Sequence, residues 1–202
     1  RNTKMTASQQ QITDPALPHL GTTLDAALMR GVFADELFAS EELRQHHQVR
    51  DCEIIQARYK PGKNCLVSYR LMIRGELTDQ TCEQILCARI YETGGSRPRF
   101  IKAQSQSLVT PRFGDPIFHI PGLEMVVWNF PNDRKLTGLP KITNTDCLKN
   151  EILPPVIAAA YGAGWEIAAL TNEIVHYVAE HTCTVRVTLE LRHATTSETR
   201  SV

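Results

Sequence analysis

The sequence predicts an α+β fold: an antiparallel sheet of about five strands with helices packed on one face, followed by a second helix-plus-hairpin unit. Two features predict it. Short alternating or β-branched segments, separated by turn-forming residues, cluster between Cys52 and Phe130. Segments with apolar residues at helical spacing lie before and after that cluster.

The composition is that of a globular protein without a global charge. The chain has 202 residues, of which 42% are hydrophobic, enough for one substantial core or two small ones. Its 22 lysines and arginines balance 22 aspartates and glutamates. No net field is therefore available to attract nucleic acid or an anionic membrane, and any anion site must be local.

Neither a membrane span nor an export signal is evident in the sequence. No apolar run approaches the roughly 18 residues of a membrane helix, and Arg1–Gln11 lacks the apolar core of a secretory signal. These observations predict a cytoplasmic protein. The six cysteines include no CxxC pair and lie mostly in apolar runs, which favours reduced, buried thiols over disulfides.

The N-terminal part is predicted to be a polar arm followed by two helices. The arm comprises residues 1–20. The first helix begins at a threonine cap, Thr22 or Thr23, and the second is predicted over Asp35–His47. The side chains predicted to face inward from the first helix are Leu24, Leu28, Val32 and Phe33.

Three consecutive antiparallel strands are predicted next. The first two, Cys52–Tyr59 and Cys65–Ile73, flank Lys60–Asn64, which has the composition of a hairpin loop. The third strand is Ile85–Tyr91.

A helix and a second hairpin are predicted to complete the sheet. The helix follows the break at Gly94-Gly95 and spans Arg97–Val109. The hairpin consists of Pro116–Ile120 and Leu123–Phe130, and Pro121-Gly122 between them predicts a type II turn.

A shift in composition divides the chain into residues 21–138, the sheet domain, and residues 139–202. The second unit is predicted to contain a helix capped by Asn144 or Thr145 and ending near Ala163. Its predicted inward side chains are Leu148, Ile152, Val156 and Ala160. A hairpin of the strands Glu173–Tyr177 and Cys183–Leu191 follows.

The two units repeat one pattern: a capped helix, a strand ending in tyrosine, a short polar loop, and a strand opening with cysteine. Tyr59 corresponds to Tyr177, and Cys65 corresponds to Cys183. The second unit is expected to stop after two strands. The parent protein is therefore expected to continue past Val202.

The first hairpin also carries a resemblance to a known family. Arg58–Arg70 reads Arg-Tyr-Lys-Pro-Gly-Lys-Asn-Cys-Leu-Val-Ser-Tyr-Arg, and Cys-Ala-Arg-Ile-Tyr follows at Cys87–Tyr91. This pattern resembles the N-terminal lobe of aminoglycoside-phosphotransferase-like, kinase-fold proteins. The resemblance covers Leu24–Leu139, and Tyr177–Leu191 repeats it weakly.

The resemblance implies a nucleotide-binding lobe. In that family the first hairpin loop covers the nucleotide phosphates, the third strand carries a lysine, and a linker leads to a catalytic lobe. It implies ATP with Mg²⁺ as cofactor of the full-length parent and a linker at Phe130–Leu136. The residues that it assigns to phosphate contacts are Lys60, Gly62, Lys63 and Arg89.

The chain departs from the family at the positions that perform chemistry. Arg89 stands where the lysine is expected, and a guanidinium does not occupy the place of an ammonium. The loop has one glycine rather than a glycine series, and no HxD or DFG-like segment follows. No catalytic residue is therefore predicted in this chain.

Three further clusters have alternative interpretations. Lys60 and Lys63 could hold an anion or form an ordinary solvated turn. Arg97, Arg99 and Lys102, together with Arg89, could contact phosphate or an acidic partner, or form a solvated helix edge. His176 and His181 lack a third ligand of convincing spacing, so no metal site is predicted.

Two functions and two partners are consistent with these observations. The chain is either a nucleotide-binding lobe that works with a catalytic lobe outside it, or a non-catalytic protein-interaction or dimerisation domain. The partner is either an intramolecular C-terminal lobe or a second copy paired through unsatisfied strand edges. Trp128 is expected in the core rather than on a docking edge.

Overall fold

The computed structural model describes residues 13–38, 40–75 and 80–202. These residues form two compact units. The first contains the described residues up to Gln106 together with Arg112–Phe130, and the second contains Ser107–Pro111 and Pro131–Val202. This division falls at Pro131, before the predicted boundary at residue 139. Most of the predicted N-terminal arm, residues 1–12, lies outside the described residues.

The first unit is built on a five-stranded antiparallel sheet, as predicted. Its strands in chain order are β1 (His47–Lys60), β2 (Asn64–Gly75), β3 (Thr81–Tyr91), β4 (Ile117–Ile120) and β5 (Met125–Asn129). They lie side by side in the order β1-β2-β3-β5-β4. The first three strands are longer than predicted, because their polar ends still pair with one another, as between Gln48 and Arg74.

The described residues before the sheet form three helices where two were predicted, and the last of them is shorter than the predicted Asp35–His47. They are α1 (Leu20–Thr23), α2 (Ala26–Glu36) and α3 (Glu41–His46). The threonine caps are wrong, since Asp25 caps α2 by accepting hydrogen bonds from the amides of Ala27 and Leu28. Met29 and Phe33 are therefore the buried side chains, and Leu28 is 54% exposed. No helix of the described residues is long and apolar enough to cross a membrane.

Helices cover both faces of the first sheet, not one face as predicted. On one face α1 and α2 pack against the apolar side chains of the strands, and Phe33 contacts the Tyr69 ring edge-on at 4.9 Å. On the other face lies α4 (Ser96–Ala103), whose Phe100 stacks on His119 at 5.3 Å. Trp128 is only 2% exposed, as expected for a core residue. The predicted helix over 97–109 is too long, because α4 ends at Ala103.

The second unit contains several helical segments and a three-stranded antiparallel sheet. In chain order they are α5 (Leu139–Thr143), α6 (Thr145–Cys147), a π-helical turn (Leu148–Ile152), α7 (Leu153–Tyr161), β6 (Trp165–Val178), β7 (Thr182–His193) and β8 (Thr199–Ser201). The prediction of only two strands is wrong, because β8 pairs with β7. The predicted inward positions Val156 and Ala160 are exposed, and Ile157 is buried instead. An extra residue in a π turn rotates the helix that follows it, which accounts for this shift.

The structure confirms the internal repeat. β6 and β7 begin 118 residues after β1 and β2 (165 − 47 and 182 − 64), and each pair of strands has the same two lengths. Tyr59 pairs with Cys65 as Tyr177 pairs with Cys183. Both ladders also shift register at the equivalent place, between Val49 and Asp51 and between Ile167 and Ala169.

Candidate functional site

The four residues predicted to contact phosphate meet at one end of the first sheet. Lys60 ends β1 and pairs with Asn64, and the Lys63 amide donates to the Lys60 carbonyl at 3.1 Å. Gly62 has a φ of +67°, a conformation that favours glycine. Arg89 lies on β3 and donates from its guanidinium to Oδ1 of Asn64 at 2.7 Å. The cation of the third strand therefore reaches the residue that closes the hairpin loop.

Arg89 lies on the same sheet face as α4. It pairs with Val126 of β5, which in turn pairs with His119 of β4, and residues directly opposite one another share a face. His119 stacks on Phe100 of α4. The third-strand cation and the following helix are thus on one side of the sheet.

Asp14 holds the hairpin loop, and the sequence did not indicate this role. Its carboxylate accepts hydrogen bonds from the Tyr59 hydroxyl at 2.7 Å and the Gly62 amide at 2.8 Å. These donors, Tyr59 first, lower the pKa of Asp14 below 3.8, and the same contact raises the pKa of Tyr59. The Gly62 amide, predicted to face phosphate, therefore already binds a carboxylate.

The second unit contains the same arrangement, in which one carboxylate accepts from a tyrosine hydroxyl and from a loop amide. We call this arrangement a latch; in the first unit it consists of Asp14, Tyr59 and Gly62. Asp133 accepts hydrogen bonds from the Tyr177 hydroxyl and the Glu180 amide, both at 2.8 Å. Glu180 has a φ of 57° where the first loop has Gly62. Its carboxylate forms a two-point ion pair with Arg134, with oxygen–nitrogen distances of 2.7 and 2.6 Å. The second loop thus carries an acidic side chain where the first has none.

The basic cluster on α4 is partly engaged in local contacts. Arg99 pairs with Glu92 at 3.1 Å, and its guanidinium lies 4.5 Å from the centre of the Tyr91 ring. Arg97 and Lys102 are exposed. α4 contributes no glutamate that could pair with Arg89.

Sequence reasoning missed a polar cluster at the beginning of α4. Ser96 Oγ donates to Oε2 of Glu124 at 2.6 Å and lies 2.8 Å from Nε2 of His119. Glu124 also accepts from the Gly94 amide at 2.8 Å and the Ser96 amide at 3.2 Å. Glu124 follows a 3-10 turn, Pro121–Leu123, in place of the predicted type II turn.

The geometry of this cluster is that of a helix cap. The hydrogen bond from Ser96 is the largest cause that lowers the pKa of Glu124, and burial lowers the pKa of His119. The serine hydroxyl therefore donates its hydrogen bond to a carboxylate that also accepts the first amide hydrogen of α4, rather than to a histidine base. An open cavity of about 540 Å³ lies beside the cluster, lined by Arg97, Ile101 and Pro121 among others.

The described residues contain no group of three or more His, Cys, Asp or Glu side chains that could hold a metal ion. All six cysteines are free thiols, as predicted, although Cys82, Cys147 and Cys183 are only partly buried. Burial raises the pKa of Cys52 to about 12 and that of Cys65 to about 11.

Comparison with protein-family models, with curated proteins and with solved structures finds no match to the chain. The resemblance to phosphotransferases therefore depends on the sequence motifs around the first hairpin.

Proposed function

We propose that the first unit is the nucleotide-binding lobe of a phosphotransferase-like protein and acts with a catalytic lobe that this chain does not supply. The hydrogen bond from Arg89 to Asn64 is the observation that carries the proposal. It puts the guanidinium of the third strand beside the loop that contains Lys60 and Lys63. Three cations at one end of a sheet suit the oxygen atoms of a polyphosphate.

Nucleotide binding by this chain alone is expected to be weak. Tight binding of Mg-ATP in kinases needs a metal held by carboxylates of the other lobe. The described residues provide no such cluster. We expect a dissociation constant no tighter than about 1 mM, which corresponds to about 4 kcal/mol.

A titration of the full chain with Mg-ATP, followed by NMR of the backbone amides, tests the proposal. Amides of the first loop and of Arg89 should shift together and saturate in the millimolar range. The loop at 179–181 is an internal control, because Glu180 stands where the first loop has Gly62 and its carboxylate already occupies the Arg134 guanidinium. Arg89→Ala should abolish the shifts, whereas Arg186→Ala, which removes an exposed guanidinium from the second hairpin, should not.

Two results would contradict the proposal. One is the absence of any shift at the first loop; the other is equal shifts in both loops. A micromolar constant that Arg89→Ala abolishes would overturn only the expected weakness and would make Arg89 a strong phosphate ligand.

A non-catalytic protein-interaction domain is the second candidate, and the bond from the Gly62 amide to Asp14 favours it. That bond occupies a donor that a phosphate would need and places a negative charge at the loop. Asp14→Asn should therefore tighten ATP binding several-fold if the loop is a nucleotide site. Asp133→Asn, the matched change in the second unit, should have no effect. Unchanged and undetectable binding in both variants would favour the interaction domain.

A further inference from the structure

Three aromatic side chains, which we call the aromatic cluster, meet at one end of the second sheet. Trp165 begins β6 and His193 ends β7, and the two residues pair directly opposite one another. Their rings meet edge-on with centres 5.3 Å apart. Tyr161, the last residue of α7, lies beside them with its ring centre 6.3 Å from that of Trp165. All three side chains are only partly buried, so part of the cluster faces solvent.

A cation of the same unit already lies on the aromatic cluster. The guanidinium carbon of Arg200, on β8, is 4.8 Å from the centre of the Trp165 ring and 5.9 Å from that of Tyr161. Both distances are within the roughly 6 Å at which the negative face of an aromatic ring attracts a cation. The contact with Arg200 therefore shows which kind of group the cluster accepts.

Arg200 is held there by exposed contacts. Its side chain is 47% exposed, and its guanidinium pairs with Glu198 at 3.0 and 3.1 Å, whose side chain is 52% exposed. An ion pair between two such exposed groups contributes little to stability. A second cation can therefore take the place of Arg200 without breaking a buried contact.

The repeat indicates that the hairpin does not need these facing rings in order to form. In the first unit the pair equivalent to Trp165 and His193 is His47 and Gly75. The same strands therefore pair to their ends there with a ring on one strand only. The ring on each strand is a feature of the second unit alone.

We propose that the aromatic cluster is a binding site for a quaternary ammonium group, and that Arg200 is an internal occupant that the ligand displaces. A quaternary ammonium has no N–H group, so it gives up no hydrogen bond when it leaves water, and its methyl groups pack on ring faces. A lysine ammonium is strongly hydrated and would lose that hydration. The inference uses the second unit alone, so it is independent of the anion site in the first.

Tetramethylammonium chloride, titrated into the full chain and followed by NMR, is the first probe. The titration is made at about pH 8, above the ordinary titration range of imidazole, so that no added charge opposes the cation. The methyl protons of the probe should shift upfield, because they lie over ring faces. The indole N–H signal of Trp165 should move with the same dissociation constant. That of Trp128, whose side chain is 2% exposed, should stay in place.

Removal of the internal occupant should strengthen binding. Arg200→Ala should lower the dissociation constant about fivefold or more, because an occupant reduces the apparent affinity to the fraction of chains in which the site is open. Arg186→Ala is the matched control, since it removes an exposed guanidinium from β7, and it should leave the constant unchanged. Tyr161→Leu, added to Arg200→Ala, keeps apolar bulk but removes one ring, and should reverse the gain.

A second measurement needs no variant. Choline and its carbon analogue, in which a carbon atom replaces the nitrogen, have the same shape and differ in charge. The unsubstituted chain should bind choline about tenfold or more tightly than the carbon analogue, because only choline is attracted by the ring faces.

A peptide that carries trimethyllysine separates two sources of the ammonium group. Tighter binding of the peptide than of free trimethyllysine would support the site and identify a modified protein tail as its ligand. Equal binding of the two would support the site as one for a small molecule.

Three outcomes would overturn the proposal. One is equal binding of choline and its carbon analogue. Another is an Arg200→Ala chain that keeps the amide spectrum of the second unit and binds tetramethylammonium no more tightly than the original chain. The third is a titration in which the signal of Trp128 moves and that of Trp165 does not.

Discussion

The hydroxyl of Tyr177 donates a hydrogen bond to a carboxylate oxygen of Asp133 at 2.8 Å, and this contact fastens the second hairpin to the segment that enters the second unit. The same carboxylate also accepts hydrogen bonds from the backbone amides of Glu180, Lys135 and Leu136. Asp133 is only 4% exposed. One buried carboxylate thus fixes both a turn and a hairpin loop.

Tyr177→Phe should destabilise the second unit. The change removes one donor from a buried carboxylate and keeps the ring, so the free energy of unfolding should fall by about 1–2 kcal/mol. Urea unfolding monitored by hydrogen exchange of β6 and β7 measures it. Tyr161→Phe is the matched control, because the Tyr161 hydroxyl makes no hydrogen bond with the described residues. Equal stability of the two variants would show that the latch contributes nothing.

The latch in the first unit should make stability depend on pH. The pKa of Asp14 is lowered below 3.8 in the folded chain, so its charged form stabilises the fold above the unfolded pKa. That contribution should disappear as the pH falls through the lowered pKa. Thermal unfolding should show a difference in melting temperature between the chain and Asp14→Asn at about pH 7. This difference should disappear as the pH falls to about 2.

A second variant tests whether the hydrogen bond from Tyr59 to Asp14 causes this difference in melting temperature. Tyr59→Phe removes the largest cause of the lowered pKa of Asp14. The difference in melting temperature between Tyr59→Phe and the double variant that also carries Asp14→Asn should therefore be smaller. A difference in melting temperature that stays constant across the pH range would contradict a role for the hydrogen bond between Tyr59 and Asp14.

The buried thiols should resist alkylation. Burial raises the pKa of Cys52 to about 12 and that of Cys65 to about 11, and the thiolate is the reactive form. At about pH 8, mass spectrometry should find both unmodified after Cys147, which is only partly buried, has reacted. Denaturant should make all three react alike. Labelling of Cys65 as fast as Cys147 in the folded chain would contradict its burial.

Gly114→Ala should strongly destabilise the first unit. Gly114 has a φ of +72°, and an added Cβ would lie against the Leu37 carbonyl oxygen and 2.8 Å from Leu37 Cδ1. Strain and clash together should cost about 2 kcal/mol or more. Gly122→Ala is the control, since a Cβ there meets nothing within 4 Å. We expect the unfolding midpoint to shift in Gly114→Ala and not in Gly122→Ala. Equal shifts in the two variants would refute the clash at Gly114.

About half of the candidate site could be found from the sequence. Lys60, Gly62 and Lys63 were found because hairpin loops have a local composition, and Arg89 was found through the resemblance. Asn64 links Arg89 to the loop, and its role could not be predicted because it depends on the register of β2 against β3.

Alternation and turn composition act over a few neighbouring residues, so the residue pattern alone predicted the first three strands, their hairpin loop and the repeat with Tyr177. The folded structure was needed to find that α4 packs on the second face of the sheet and that β8 follows the second hairpin. It was also needed to find that Asp14 and Asp133 bind the tyrosines of the two hairpins, across 45 and 44 residues of chain. Such contacts depend on how distant segments pack across the end of a sheet, and no local pattern encodes that packing.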